Sequence, residues 1–341
     1  MNLYRPIIIG IARSVLTESE QSWLTQLKPY GVILFSRNID NQKQLRTLCA
    51  SLRQILGNDV VIVIDQEGGR VQRLKQPSWP QLPAALDIGK LWRKHQFKGL
   101  EAANNLGQVI GSQLASVGIT HVAAPVLDLY IDGTDPVIGD RAFGTTPAEV
   151  IPLATAFIDG VTRSGVTPIV KHIPGMGRVR VDSHDTLPVI DASVATLRET
   201  DWLPFKKVTG VSMAMTAHVV IPEWDKRPVT TSAKAIMQLR SEFPNQLIIS
   251  DCLTMGALKG SVTERVRDTL IAGVDLALYS NGDDTIRQDA VLAVGEARIA
   301  RPAPMNLEPL PDSHVENLLA KLQHSTISQS KQSDPTRDLP K

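Results

Sequence analysis

Eight short apolar runs punctuate the chain, at residues 7–12, 31–35, 60–65, 119–124, 166–172, 211–217, 247–251 and 274–279. They are rich in β-branched residues and apolar at consecutive positions rather than alternate ones. That pattern marks strands buried on both faces, as in a parallel sheet. The segments between them carry helical spacing: Leu100, Ala103, Leu106, Ile110, Leu114 and Val117 recur every three or four residues, one apolar stripe. Another helix is expected after the fourth run, with Thr146 as its cap, Pro147 in its first turn and Glu149 completing a capping box. Strand and helix alternate throughout, which predicts parallel strands joined by right-handed crossovers. Eight such units favour closure into a single (β/α)8 barrel over an open doubly wound sheet. The barrel is expected over residues 1–322. Residues 323–341 are polar with scattered charges and are expected to form a disordered tail.

A length of 341 residues and a hydrophobic fraction of 43% suit one barrel with a large core. Net charge is +1, and no basic run is interleaved with aromatics, which argues against nucleic acid or a membrane surface as partner. Two cysteines, Cys49 and Cys252, make no disulfide framework and suit a reducing compartment. The first apolar run is too short to span a membrane and lacks a charged leader with a small-residue cleavage site. A cytoplasmic monomer is expected.

Polar residues recur where the strands end. Asp65, Asp128, His172, His218 and Asp251 each fall at or just after a run's C-terminal end. That rim is where (β/α)8 enzymes build their sites, although an open sheet also binds ligands there. Asp251, held on a strand, suits a nucleophile or an electrostatic stabiliser; a cap for the following helix is the other reading. Asp182 and His184, two apart in an extended loop, point to the same side, so the carboxylate can fix the imidazole's tautomer. The pair is either a local proton donor and acceptor or an Asx turn beside a solvated histidine. Lys171 and His172 end the fifth run and can donate to ligand hydroxyls, while Gly175 and Gly177 let the following loop turn and close. Asp65 can accept from hydroxyls, Arg70 can brace the carboxylates beside it, and Arg141 is a further rim cation. No phosphate-binding Gly-x-x-x-x-Gly-Lys loop, helical His-Glu-x-x-His or paired cysteine motif is present, so no cofactor and no metal is expected.

Six segments, taken in order, resemble glycoside hydrolase family 3, and within it the bacterial β-N-acetylglucosaminidases of peptidoglycan recycling. They are GVILFSRN from Gly31, DQEGGRVQR from Asp65, APVLD from Ala124, KHIPGMG from Lys171, DSH from Asp182 and SD from Ser250. The resemblance spans roughly residues 7–280. It implies a single barrel that hydrolyses terminal β-linked N-acetylglucosamine from a small carbohydrate substrate, muropeptide or chitooligosaccharide, with retention. Asp251 matches the family's nucleophile, and Asp182 and His184 its acid/base dyad. Asp65, Arg73, Arg141, Lys171 and His172 match sugar-binding positions. The chain departs from the pattern twice: Met176 stands where the family usually has His, and Cys252 where it usually has a second Asp. In the mechanism this implies, Asp251 attacks the anomeric carbon and His184 first protonates the leaving oxygen, then activates water. Other readings are attack by the substrate's own acetamido oxygen, a β-glucosidase or xylosidase on the same barrel, or a sugar-binding barrel without catalysis.

Overall fold

The computed structural model describes residues 3–303 and 306–330. Its main sheet is built on β1 (Leu3–Gly10), β2 (Pro29–Leu34), β3 (Val61–Ile64), β4 (His121–Val122), β5 (Thr167–Ile173), β6 (Met213–Thr216), β7 (Leu247–Cys252) and β8 (Leu276–Tyr279). Each strand lies parallel to the next. β1 also pairs with β8, Ile7 opposite Ala277 and Ile9 opposite Tyr279, which closes the sheet. The chain forms the expected (β/α)8 barrel.

The uninterrupted apolar runs follow from this closure, because each strand must satisfy two cores at once. Ile8, Ile33, Val63, Ile169, Ile249 and Leu278 pack in one cluster, whereas Ile7, Ile9, Val32, Leu34 and Ile62 pack in the other with the helices. All eight expected strands are present, with shifted ends. β1 begins earlier than the apolar run because Leu3 and Tyr4 pair antiparallel with Ala300 and Ile299. Beside that pairing the Arg301 guanidinium lies 3.4 Å from the Tyr4 ring centroid. It also donates to the carbonyls of Pro29, Tyr30 and Leu56. β4 is the shortest of the eight barrel strands, two residues rather than the expected six.

The apolar stripe from residue 100 to 117 lies on helix Gln96–Val117, with Ala103, Leu106, Ile110, Leu114 and Val117 buried. Helix Pro147–Thr162 starts with proline as expected, but the Thr146 side chain makes no capping bond. The Glu149 carboxylate pairs with Arg93 at 2.6 Å and reaches instead to the Thr145 amide at 2.7 Å. An ion pair to a neighbouring helix has displaced the local capping box. At the C-terminus, helix Asp312–Ser330 buries Leu318 and Leu322, so residues 323–330 of the expected tail are helical. Residues 331–341 lie outside the described residues. Among the described residues, no helix is long and apolar enough to cross a membrane.

Candidate active site

The rim at the C-terminal ends of β3 and β5 is built of charge. After β3 the chain makes a short antiparallel hairpin, Gln66 opposite Gln72. The Gln66 side-chain oxygen accepts from the Arg73 and Leu74 amides, which brings Arg73 back beside Asp65. Lys171, on β5 and only 2% exposed, reaches Asp65 at 2.8 Å and Glu67 at 2.6 Å. Arg141 grips Glu67 with two bonds, at 2.8 and 2.9 Å, and Arg73 lies 3.3 Å from Asp65.

Two carboxylates thus face three cations, a local excess of one positive charge. Burial works against ionisation of both acids, but Lys171, Arg73 and Arg141 outweigh it and hold Asp65 well below the usual carboxylate range. Glu67 is likewise pulled down to about 2, with Arg141 and Lys171 overcoming burial. The acids in turn overcome the burial of Lys171 and Arg141 and strengthen their hold on protons. Such a network stays ionised, and its rigid donors and acceptors suit a polyhydroxylated ligand.

A pH dependence follows. Glu67 titrates near 2 when folded against roughly 4.3 when unfolded, so its stabilising contribution is present above pH ~4.3 and lost as pH falls through about 2. Urea midpoints taken between pH 5 and 3 should fall more steeply for wild type than for Glu67→Gln. The difference should approach ~1.4 kcal/mol per pH unit. Parallel curves would show that Glu67 is not held ionised.

Asp128, buried after β4, accepts from three donors: the His172 amide at 3.2 Å, His172 Nδ1 at 2.6 Å and the Met176 amide at 2.7 Å. Nδ1 must carry the proton toward the carboxylate, which leaves Nε2 as the ring nitrogen for a ligand. The glycines of the following loop have different duties. Gly175 adopts φ +116°, which side chains other than glycine's rarely allow, and Gly177 packs so that a Cβ would sit 2.3 Å from the Leu129 carbonyl oxygen. Tight packing, not only freedom to move, requires Gly177.

Asp251 lies on β7. The next helix, Val262–Ile271, starts eleven residues later with its own capping box on Ser261, so Asp251 is not its cap. Its Oδ1 accepts from the Cys252 amide at 2.6 Å, and its own amide donates to Thr216 at 3.3 Å. Fully buried His218, after β6, braces this strand end. Nε2 donates to the Cys252 carbonyl at 3.1 Å, and Nδ1 meets the Thr230 hydroxyl at 2.9 Å. Burial lowers the His218 pKa, against the Asp251 charge and the Cys252 carbonyl, which suits a neutral structural imidazole.

Asp182 and His184 meet, but not through an extended segment. Asp182 Oδ1 accepts both the His184 amide at 2.8 Å and His184 Nδ1 at 2.7 Å, an Asx turn and an imidazole clamp at once. The Asx turn and the carboxylate–imidazole bond therefore coexist in one structure. Partial burial works against ionisation of Asp182, yet the His184 bonds and the Arg141 charge hold it below the usual carboxylate range. The His184 side chain is 64% exposed.

Residues 9–305 match the model of the glycosyl hydrolase family 3 N terminal domain. The chain belongs to that family. It is 32% identical over 335 residues to a β-hexosaminidase of Bordetella avium, covering 95% of each chain. It is 38% identical over 289 residues to one of Neisseria meningitidis serogroup B, covering 82% of this chain and 79% of that one. Among solved structures it resembles NagZ from Neisseria gonorrhoeae in complex with N-trifluoroacetyl-D-glucosamine. That match has a TM-score of 0.82 and 32% identity, and covers 95% of this chain and 98% of that one.

The two departures from the family pattern have separate local causes and effects. Met176 is 2% exposed, and the bond it gives Asp128 comes from its amide, so that bond survives loss of an imidazole. Cys252 Sγ lies 2.7 Å from Ser280 Oγ and 3.0 Å from Thr254 Oγ1, and burial pushes its thiol pKa up. Arg70 does not brace Asp65 or Glu67; it pairs with Asp140 and takes the Pro136 and Val137 carbonyls. The sequence marks Asp128 and His218 only as rim residues, without a partner or a task, and does not single out Glu67. All three carried one available signal, a polar residue beside a strand end.

Proposed function

We propose that this family 3 chain is a retaining β-N-acetylhexosaminidase that removes terminal β-linked N-acetylglucosamine from muropeptides or chitooligosaccharides. The observation that carries the reading is the hydrogen-bonded Asp182–His184 pair, whose loop is backbone-bonded to the turn following the Asp251 strand. The names of the relatives and the glucosamine derivative in the gonococcal structure support the sugar. In the first step an Asp251 oxygen forms a bond to the anomeric carbon as the bond to the leaving oxygen breaks. His184 Nε2 gives that oxygen its proton, with Nδ1 held by Asp182. In the second step water attacks the same carbon, its proton passes to His184, and the Asp251 carboxylate departs. Asp65, Glu67, Arg73, Arg141, Lys171 and His172 hold the sugar hydroxyls.

Hydrolysis of phenyl N-acetyl-β-glucosaminide, phenyl β-glucoside and the 2,4-dinitrophenyl N-acetylglucosaminide tests this. Wild type should favour the N-acetylated sugar. His184→Ala should lose roughly 10²–10⁴-fold on the phenyl leaving group, which needs an acid, and far less on dinitrophenolate, which does not. Full activity of His184→Ala on the phenyl substrate would remove His184 from the mechanism.

A further inference from the structure

The dyad rides on a loop, and a proton donor must be held in hydrogen-bond reach of the oxygen it serves. What holds it comes from the segment after the nucleophile. The Gly256 amide donates to the His184 carbonyl at 2.8 Å, and the Ala257 amide donates to the Ser183 carbonyl at 3.2 Å. The fit leaves no room for a side chain: a Cβ on Gly256 would stand 2.7 Å from both the His184 and the Asp185 carbonyl oxygens. Gly256 is outside the positive-φ glycines, so close approach rather than backbone conformation is what requires glycine there.

The turn that presents these amides is itself braced. Arg265, on helix Val262–Ile271, donates to the Leu253 carbonyl at 2.8 Å, the Met255 carbonyl at 3.2 Å and the Gly260 carbonyl at 3.1 Å. Leu253, Ala257 and Leu258, within the same segment, are buried. One continuous path of short range therefore runs from Asp251 on β7, through the Arg265-braced turn, to the backbone of His184.

We infer that Gly256 is a positioning residue, and that the turn after β7 is a dock that sets the acid/base loop in register with the nucleophile. Two amides on the nucleophile's own segment fix the backbone of the proton donor, so one element places both reacting groups. The inference rests on His184 being the acid/base. Substituting alanine at residue 256 must push the His184 and Asp185 carbonyls outward by several tenths of an ångström, and a displacement near 1 Å costs a catalytic group on the order of 10²-fold.

The test compares Gly256→Ala, Arg265→Gln and His184→Ala on phenyl and 2,4-dinitrophenyl N-acetyl-β-glucosaminides, with and without azide. Azide supplies its own electron pair to the anomeric carbon, displaces the Asp251 carboxylate and needs no base. The ratio of kcat/KM on the phenyl to the dinitrophenyl substrate should fall at least tenfold in Gly256→Ala. Azide should accelerate dinitrophenyl turnover in this variant, as in His184→Ala, with a glycosyl azide as product. A merely structural lesion would lower both substrates together and gain nothing from azide. If His184→Ala shows both signatures and Gly256→Ala neither, the dock is wrong and the acid/base assignment stands. If His184→Ala shows neither, the acid/base assignment fails and the dock falls with it. Should Gly256→Ala not fold, Arg265→Gln, which loosens the same turn from behind, is judged by the same two signatures.

Discussion

Asp251→Ala is expected to lower turnover by at least ~10³-fold while leaving the barrel folded. The expectation starts from where the carboxylate sits. It is carried by β7, a strand hydrogen-bonded on both sides, and its orientation is fixed by the Cys252 amide on Oδ1. His218 pins the next carbonyl, and Thr216 takes the Asp251 amide. A carboxylate so held has little freedom to lose in the attack proposed for it. Removing it leaves the ionic network of Asp65, Glu67 and Lys171, the proposed sugar-binding groups, in place, so the loss should fall on kcat more than on KM. A fluorinated N-acetylglucosaminide that forms the glycosyl-enzyme but hydrolyses slowly should add one sugar mass to wild type and none to Asp251→Ala. An adduct on Asp251→Ala would place the nucleophile elsewhere. Turnover by wild type with no adduct at any time would favour attack by the substrate's acetamido oxygen, with Asp251 steadying that group.

The barrel could be read from the sequence because its rule is local. A strand buried on both faces must be apolar at consecutive positions, and eight such stretches separated by helices leave few topologies. The ends of the strands were less legible, because they depend on remote partners. Leu3 and Tyr4 extend β1 only because residues 299 and 300 return to pair with them. Glu149 shows the same limit for a helix start, where Arg93, 56 residues away, redirects a carboxylate that local spacing assigns to a capping box. At the site, residue types at strand ends marked Asp65, Lys171, His172 and Asp251. Which cation meets which acid did not follow. Arg70 is three positions from Glu67, yet the bidentate partner is Arg141, 74 residues on. Asp182 and His184 lie outside this limit, since a two-residue spacing contains the whole contact.

Lys171→Met is expected to cost about 3 kcal/mol of stability and at least ~10²-fold in kcat/KM. The two losses have different causes. Lys171 is buried between Asp65 and Glu67, and removing one member of a buried ionic cluster leaves the others desolvated and under-compensated. Arg141 still grips Glu67 and Arg73 still stands near Asp65, which places the cost at the low end of the usual range. Charge in the cluster falls from an excess of one positive to none. Adding Asp65→Asn removes the acid that loss of Lys171 leaves least compensated, keeps the Arg141–Glu67 pair and restores that excess, so the double variant should regain at least half of the lost stability in urea denaturation. Catalytic efficiency should not return with it, because methionine donates nothing to a sugar hydroxyl. Recovery of both in the double variant would mean that Lys171 serves only to balance charge and does not touch the sugar. A single variant as stable as wild type would mean that solvent reaches the cluster when the lysine is gone and that its burial is not maintained. Stability regained without catalysis is the outcome that separates holding the rim together from holding the substrate.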